Sequence, residues 1–169
     1  LTSYLAKEAK LPFSRIIGSG TILDTARFRS ILGNHLQLAP QSIHAYVLGE
    51  HGDSEVLIWS EALAGNMPLE SFAAQAGISL NAEIKNHIDS EVRNSAYKII
   101  AGKGATYYGI AAGLTRICKA IAYNENAILT VSVHHDEIEG VENICLSLPA
   151  VINHDGIHRI LYPELSASE

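Results

Sequence analysis

His51 stands between Gly49 and Gly52, near the end of the run His44-Ala45-Tyr46-Val47-Leu48-Gly49-Glu50-His51-Gly52-Asp53, and follows an Asp-x-x-Arg at Asp24 and Arg27. An imidazole, a carboxylate and a guanidinium together suit proton transfer on an anionic substrate. The imidazole titrates near neutral pH, so it can both give and take a proton. The carboxylate can accept from one ring nitrogen, which fixes the tautomer and favours the charged ring. The guanidinium offers a planar fork to a second carboxylate, a geometry that lysine lacks. Glycines allow a sharp turn where a strand stops and let another molecule approach the backbone closely. Residue types alone leave a second reading open, in which His51 is a core histidine satisfied by a backbone carbonyl.

These groups need elements to carry them. Asp24 and Arg27 lie three apart at the head of a helical pattern from about residue 23 to 38, closed before Pro40, so both can project from one side of its first turn. Residues 42–48 alternate and then become continuously apolar, as in a strand entering a buried sheet. A helix and the strand that follows it pack together, which makes a contact between Asp24 and His51 geometrically reasonable. Residues 55–59 read as the returning strand, and residues 1–10 as a helix stopped by Leu11-Pro12.

Beyond Met67-Pro68 the pattern turns helical. Residues 81–100 repeat Ile84, Ile88, Val92, Ala96 and Ile99 at helical spacing; residues 106–122 place Ile110, Leu114, Ile117 and Ile121 on one stripe. Gly102-Lys103-Gly104 separates the two. Segments 127–133, 144–151 and 156–161 are strand-like and expected antiparallel, with turn signals at Glu139-Gly140 and Asn153-His154-Asp155-Gly156. The fold predicted is α+β, one layer-packed domain over residues 1–169 with long helices and mixed and antiparallel strands.

Composition narrows the function class. The chain has 169 residues, 47% of them hydrophobic, enough for a sizeable core. Its net charge of −6 with 12 basic residues offers no broad basic face for nucleic acid. No apolar run is long enough for a membrane span, and no basic-then-apolar leader opens the chain, so the cytoplasm is the expected location. Cys118 and Cys145 are too few for a disulfide framework and read as buried free thiols.

Ile17-Gly18-Ser19-Gly20-Thr21, Leu23-Asp24-Thr25-Ala26-Arg27-Phe28-Arg29 and Gly49-Glu50-His51-Gly52-Asp53 resemble signature stretches of the catalytic half of the L-lactate dehydrogenases, in the lactate/malate dehydrogenase family. The likeness continues through Lys103-Gly104-Ala105-Thr106 and Gly156-Ile157-His158-Arg159-Ile160, and covers nearly the whole chain. It implies the C-terminal substrate-binding domain of that fold. A Rossmann half, with the loop arginine and asparagine that act on the substrate carbonyl, is then expected before residue 1, and a final helix after residue 169. No G-x-G-x-x-G lies within the chain: Gly18-x-Gly20 is followed by Ile22-Leu23 where the third glycine belongs.

The resemblance also implies roles. His51 becomes the proton donor and acceptor, Asp24 its orienting carboxylate, Arg27 the grip on the substrate carboxylate, and Thr106 a residue lining the substrate pocket. NAD is the implied cofactor, a small 2-oxo or 2-hydroxy acid the substrate, and a homotetramer the expected assembly; the chain by itself is expected to be inactive. Malate dehydrogenases share the Asp-x-x-Arg and His-Gly-Asp elements, but Glu50 before the histidine leans toward the lactate branch. Arg29 and His44 match positions that line a fructose 1,6-bisphosphate site at a subunit interface in many bacterial lactate dehydrogenases. From residue types alone they read first as a solvated helix residue and a strand-start histidine; the resemblance brings the phosphate-site reading level with that one.

Other constellations compete. Ser19, His51 and Asp24 could form a hydrolase triad, although Gly18-Ser19-Gly20 lacks the G-x-S-x-G frame of a nucleophile elbow. The striped helices would equally suit a non-catalytic assembly or effector-binding module. His134-His135-Asp136 and His154-Asp155 look like metal spacing, but adjacent strand residues face opposite ways, so they read as solvated histidines. Glu50, Asp53 and Glu55 near His51 suggest an acidic metal site only weakly. Tyr107-Tyr108 reads as helix packing.

Overall fold

A computed structural model describes residues 1–169. Its elements run α1 (Thr2–Glu8), α2 (Ile22–Leu36), β1 (Ile43–Leu48), β2 (Val56–Ala64), β3 (Met67–Pro68), α3 (Leu69–Ala76), α4 (Ala82–Lys103), α5 (Tyr108–Ala122), β4 (Ala127–Ile138), β5 (Val141–Asn153) and β6 (Gly156–Ile160). Two three-stranded sheets form, in the orders β1-β2-β3 and β4-β5-β6. The α+β class, with long helices and antiparallel pairing, is what the patterns predict.

The chain divides into two compact units. One comprises residues 24–47, 56–106 and 163–169. Its core takes Phe28, Leu32 and Leu36 from α2, Ile43, Ala45 and Val47 from β1, Leu57 from β2 and Ile88 and Val92 from α4. Phe28 meets Trp59 edge-on at 4.9 Å between ring centroids, the arrangement that ring quadrupoles favour. The side chain of Asn81 accepts from the Ile84 N–H at 2.9 Å and opens α4, satisfying one of the amides that a helix start leaves orphaned.

The other unit comprises residues 1–23, 48–55 and 107–162. Ile117 and Ala120 of α5 pack with Ile22, with Val131 and Val133 of β4, and with Ala150 and Ile152 of β5. β4 and β5 form a hairpin paired from Ala127↔Ile152 to Ile138↔Val141. Its strands outrun the predicted segments 127–133 and 144–151. Glu139 and Gly140 both adopt positive φ, 49° and 77°, the two-residue turn that matches strand twist, and pairing therefore continues through the polar stretch. It even sets Glu137 opposite Glu142, a like-charge pair that the long register tolerates.

Several side chains differ from expectation. Cys118 is exposed and Cys145 half-buried, so the buried-thiol reading fails for Cys118. On α5 the buried face runs through Gly113, Ile117 and Ala120, which turns Cys118 outward and leaves Leu114 exposed. Ile99 on α4 is also exposed, whereas Ile88 and Val92 are buried. The histidines of β4 are not solvated: His135 is 4% exposed, and His134 lies against Phe13 with ring centroids 4.0 Å apart. Pairing of both with β5 opposite Cys145 and Ile144 draws them into the sheet. Burial lowers the His135 pKa, against a backbone hydrogen bond at Leu146 that raises it. His154 is exposed as expected, with Asp155 3.3 Å away.

Candidate functional site

α2 presents the acidic and basic members of the Asp-x-x-Arg on its first turn. Arg27 Nη1 donates to Asp24 Oδ1 at 2.8 Å, the contact that a three-residue helical spacing makes available. Asp24 is 1% exposed, and the Arg27 side chain is 18% exposed. Thr25, on the turn between them, accepts the Val47 N–H at 2.9 Å and ties α2 to β1. The same pair of elements places Arg29: its Nε donates to the Ala45 carbonyl at 2.8 Å, and its guanidinium lies over the Tyr46 ring, 4.8 Å from the centroid. Arg29 is therefore held beside the strand that carries His44, which is exposed on β1 next to Ala45. Thr106 is half-buried in the connection between α4 and α5.

His51 belongs to the other unit, on the loop that leaves β1. The loop is anchored through backbone: Gly49 N–H donates to the Ser147 carbonyl at 2.9 Å, and the Ser147 N–H returns to the Gly49 carbonyl at 2.8 Å. Gly49 has φ +86°, a conformation open to glycine and costly for other residues. His51 is then displayed to solvent at 53% side-chain exposure, with Nδ1 3.9 Å from Oε2 of Glu55, itself 2% exposed. One Glu55 oxygen, Oε1, has no hydrogen-bond partner.

A hollow of about 680 Å³ lies beside His51, lined by Gly18, Ser19, Gly20, Gly49, Ser132 and Ser147 among others. The Gly20 turn is packed tightly there. A Cβ on Gly20 would fall 2.2 Å from the Ser147 hydroxyl and 2.5 Å from the Ser132 nitrogen. Ser147 Oγ accepts the buried Thr21 N–H at 3.1 Å, and Gly18 pairs with Ser132 across a short bridge. Cys145 borders the same hollow; burial pushes its thiol pKa up. A raised thiol is a poor nucleophile.

The structure thus joins Asp24 to Arg27, Arg29 to the strand of His44, and His51 to a rim shared with Ser19. Glu55 is the residue that sequence reading undervalued. It was visible only as one acid among Glu50, Asp53 and Glu55, and its four-residue offset from His51 was the available signal. The exposed Glu50 receives a long 3.5 Å hydrogen bond from Ser54.

Comparison with known proteins places this architecture. Residues 21–169 match the model of the lactate/malate dehydrogenase alpha/beta C-terminal domain. An L-lactate dehydrogenase of Thermus aquaticus is 52% identical over 169 residues, covering 100% of this chain and 54% of that protein. An L-lactate dehydrogenase of Allorhizobium ampelinum is 54% identical over the same 169 residues, again 54% of its own length. Among solved structures, a lactate dehydrogenase from a Medee basin deep-sea metagenome library superposes with a TM-score of 0.94 at 42% identity, over 99% of this chain and 54% of that one. The chain spans about half the length of the relatives it matches, and it belongs to the lactate/malate dehydrogenase family as an alpha/beta C-terminal domain.

Proposed function

We propose that this chain is the catalytic half of an NAD-dependent L-lactate dehydrogenase, interconverting pyruvate and L-lactate with His51 as acid and base. The observation that carries the reading is His51 itself, displayed on a backbone-anchored loop at the rim of a hollow large enough for a small acid. In its imidazolium form His51 would deliver a proton to the oxygen of a 2-oxo acid and recover it in reverse. Asp24 would accept from the other ring nitrogen and hold the tautomer. Arg27 is bound to Asp24 through Nη1, which leaves further N–H donors for a substrate carboxylate; such a grip removes several kcal/mol of barrier by fixing the reacting carbon. Thr106 would line the substrate side.

A nicotinamide, when bound, supplies the hydride. The residues here fit its reacting end, since glycines and serines wall the hollow and Gly20 has no room for a side chain. No helix of the chain is long and apolar enough to cross a membrane; the cytoplasmic location and homotetrameric assembly proposed with this function rest on the family likeness. With the cofactor-binding half supplied by other residues, the chain alone would bind part of the reaction's components without turnover.

The decisive experiment joins the chain behind a dinucleotide-binding half and follows pyruvate-dependent oxidation of the reduced cofactor. Activity is expected, and His51→Asn should lower kcat by about 10²–10⁴-fold. Turnover that survives the substitution sinks the assignment. Oxaloacetate turned over faster than pyruvate would move the reading to the malate branch.

We also infer an activating site for fructose 1,6-bisphosphate at Arg29 and His44, supported by the bond that holds Arg29 beside β1. A guanidinium and an ionisable imidazole grip phosphate oxygens well. Titrating the sugar bisphosphate against the thermal midpoint should raise it in the wild type and not in Arg29→Gln; equal responses remove the site.

A further inference from the structure

Glu55 is 3% exposed, and a carboxylate out of water is costly unless donors or an opposite charge compensate it. Oε1 has no hydrogen-bond partner. The cation on offer is His51, with Nδ1 3.9 Å from Oε2. That separation exceeds a hydrogen bond and fits an ion pair. Glu55 begins just before β2, and its backbone N–H donates to the Gly52 carbonyl at 3.1 Å. This bond closes the turn from Gly52 to Glu55 that follows His51 and fixes where the carboxylate sits.

We propose that Glu55 is a positioning residue whose buried charge keeps the His51 ring protonated and turned toward the hollow. The inference rests on the reading of His51 as the acid–base group. The other titratable groups around the ring are Glu50 and Asp53 on the same loop, Cys145 across the hollow on β5 and the amino group of Leu1 at its edge, together with Asp24 as proposed above. Glu50 and Asp53 are exposed, where water screens their charge. Cys145 stays a neutral thiol because burial raises its pKa. Glu55 is the buried acid of the loop, and its Oε2 lies 3.9 Å from the ring nitrogen, close enough for a carboxylate there to favour the imidazolium even beside solvent.

The chain itself supports the test, with no turnover required. The His51 ring is titrated by carbon-detected NMR, its resonance assigned by His51→Asn. Glu55→Gln should lower the His51 pKa by about one unit, a tenfold change in the protonation equilibrium, and Glu55→Asp should recover part of it. An unchanged His51 midpoint in a natively folded Glu55→Gln overturns the proposal. If the amide variant does not fold, the wild type decides: the Glu55 side-chain carbonyl resonance should respond at the His51 midpoint, and independent midpoints overturn the coupling. Loss of the acid–base assignment would instead show as turnover surviving His51→Asn, whatever the titration reads.

Discussion

Two sets of candidate residues, one in each compact unit, are held by different physics. Asp24 and Arg27 ride on a helix whose next turns are buried without gap: Phe28 and Leu32 are each 0% exposed and Leu36 1%. His51 and Glu55 ride on a loop held by backbone hydrogen bonds at Gly49 and Gly52, with the imidazole in solvent. The helix-borne pair is therefore positioned by core packing, which resists displacement. The loop-borne histidine is positioned by a few polar bonds and glycine geometry, which yield more readily. A group that grips a substrate carboxylate benefits from the first arrangement, and a group that must exchange protons with incoming molecules benefits from the second.

The largest test of this contrast lies under the helix. Phe28→Ala should remove an edge-on contact with Trp59 and leave a cavity in the core that α2 packs on, at a cost of about 3–5 kcal/mol. Urea unfolding followed by Trp59 fluorescence measures it. A loss below about 1 kcal/mol would mean that α2 is not held by its core, and the contrast with the loop would collapse.

A smaller effect separates two glycines of the other unit. Gly20 has φ +50°, and a Cβ there meets Ser147 and Ser132 within 2.5 Å. Gly52 has φ +129° with nothing within 4 Å of a built Cβ. Alanine is strained at both positions but collides only at the first. Gly20→Ala should cost about 2–3 kcal/mol and Gly52→Ala about 1 kcal/mol, read from thermal unfolding. The reverse order would show that the hollow's floor is looser than its loop.

Sequence reading captured what periodicity and spacing encode. Ile88 and Val92 declared the buried face of α4, and the Asp-x-x-Arg spacing placed two charges on one helical turn. It failed where tertiary pairing decides. The polar run His134 to Glu137 looks like the end of a strand, yet pairing with β5 extends β4 to Ile138 and buries both histidines in the process. Of the α5 stripe Ile110, Leu114, Ile117 and Ile121, Ile117 is buried and Ile121 packs against its cluster, but the buried face runs through Gly113, Ile117 and Ala120 and leaves Leu114 and Cys118 exposed. Glu55 was hidden because an acid at a strand start gives no sign of being buried. The orphaned oxygen that singles it out exists only in three dimensions.

Two carboxylates complete the contrast. Glu55 is buried with one oxygen unsatisfied, whereas Glu169 accepts from Trp59 N–H at 2.7 Å, Ser60 N–H at 3.0 Å, Ser60 Oγ at 2.5 Å, and Ser166 N–H and Oγ at 3.0 and 2.8 Å. Burial alone would raise the Glu169 pKa, but the donors from Ser60 and Ser166 outweigh it and bring the value down to about 2 from 4.5. A depressed carboxylate stabilises the fold above its unfolded pKa and loses that contribution as pH falls through the folded one. Glu169→Gln should therefore cost about 1 kcal/mol at pH 7, where the partly exposed charge is screened. The deficit should shrink below pH 4.5, be roughly halved as pH approaches about 2 and vanish only below it, where the wild-type carboxyl is protonated as well. Urea midpoints of the two proteins across that range measure it. A deficit constant from pH 7 to 2 would mean that shape rather than charge holds Glu169, and the distinction between a carboxylate kept for stability and one kept for its effect on His51 would lose its footing.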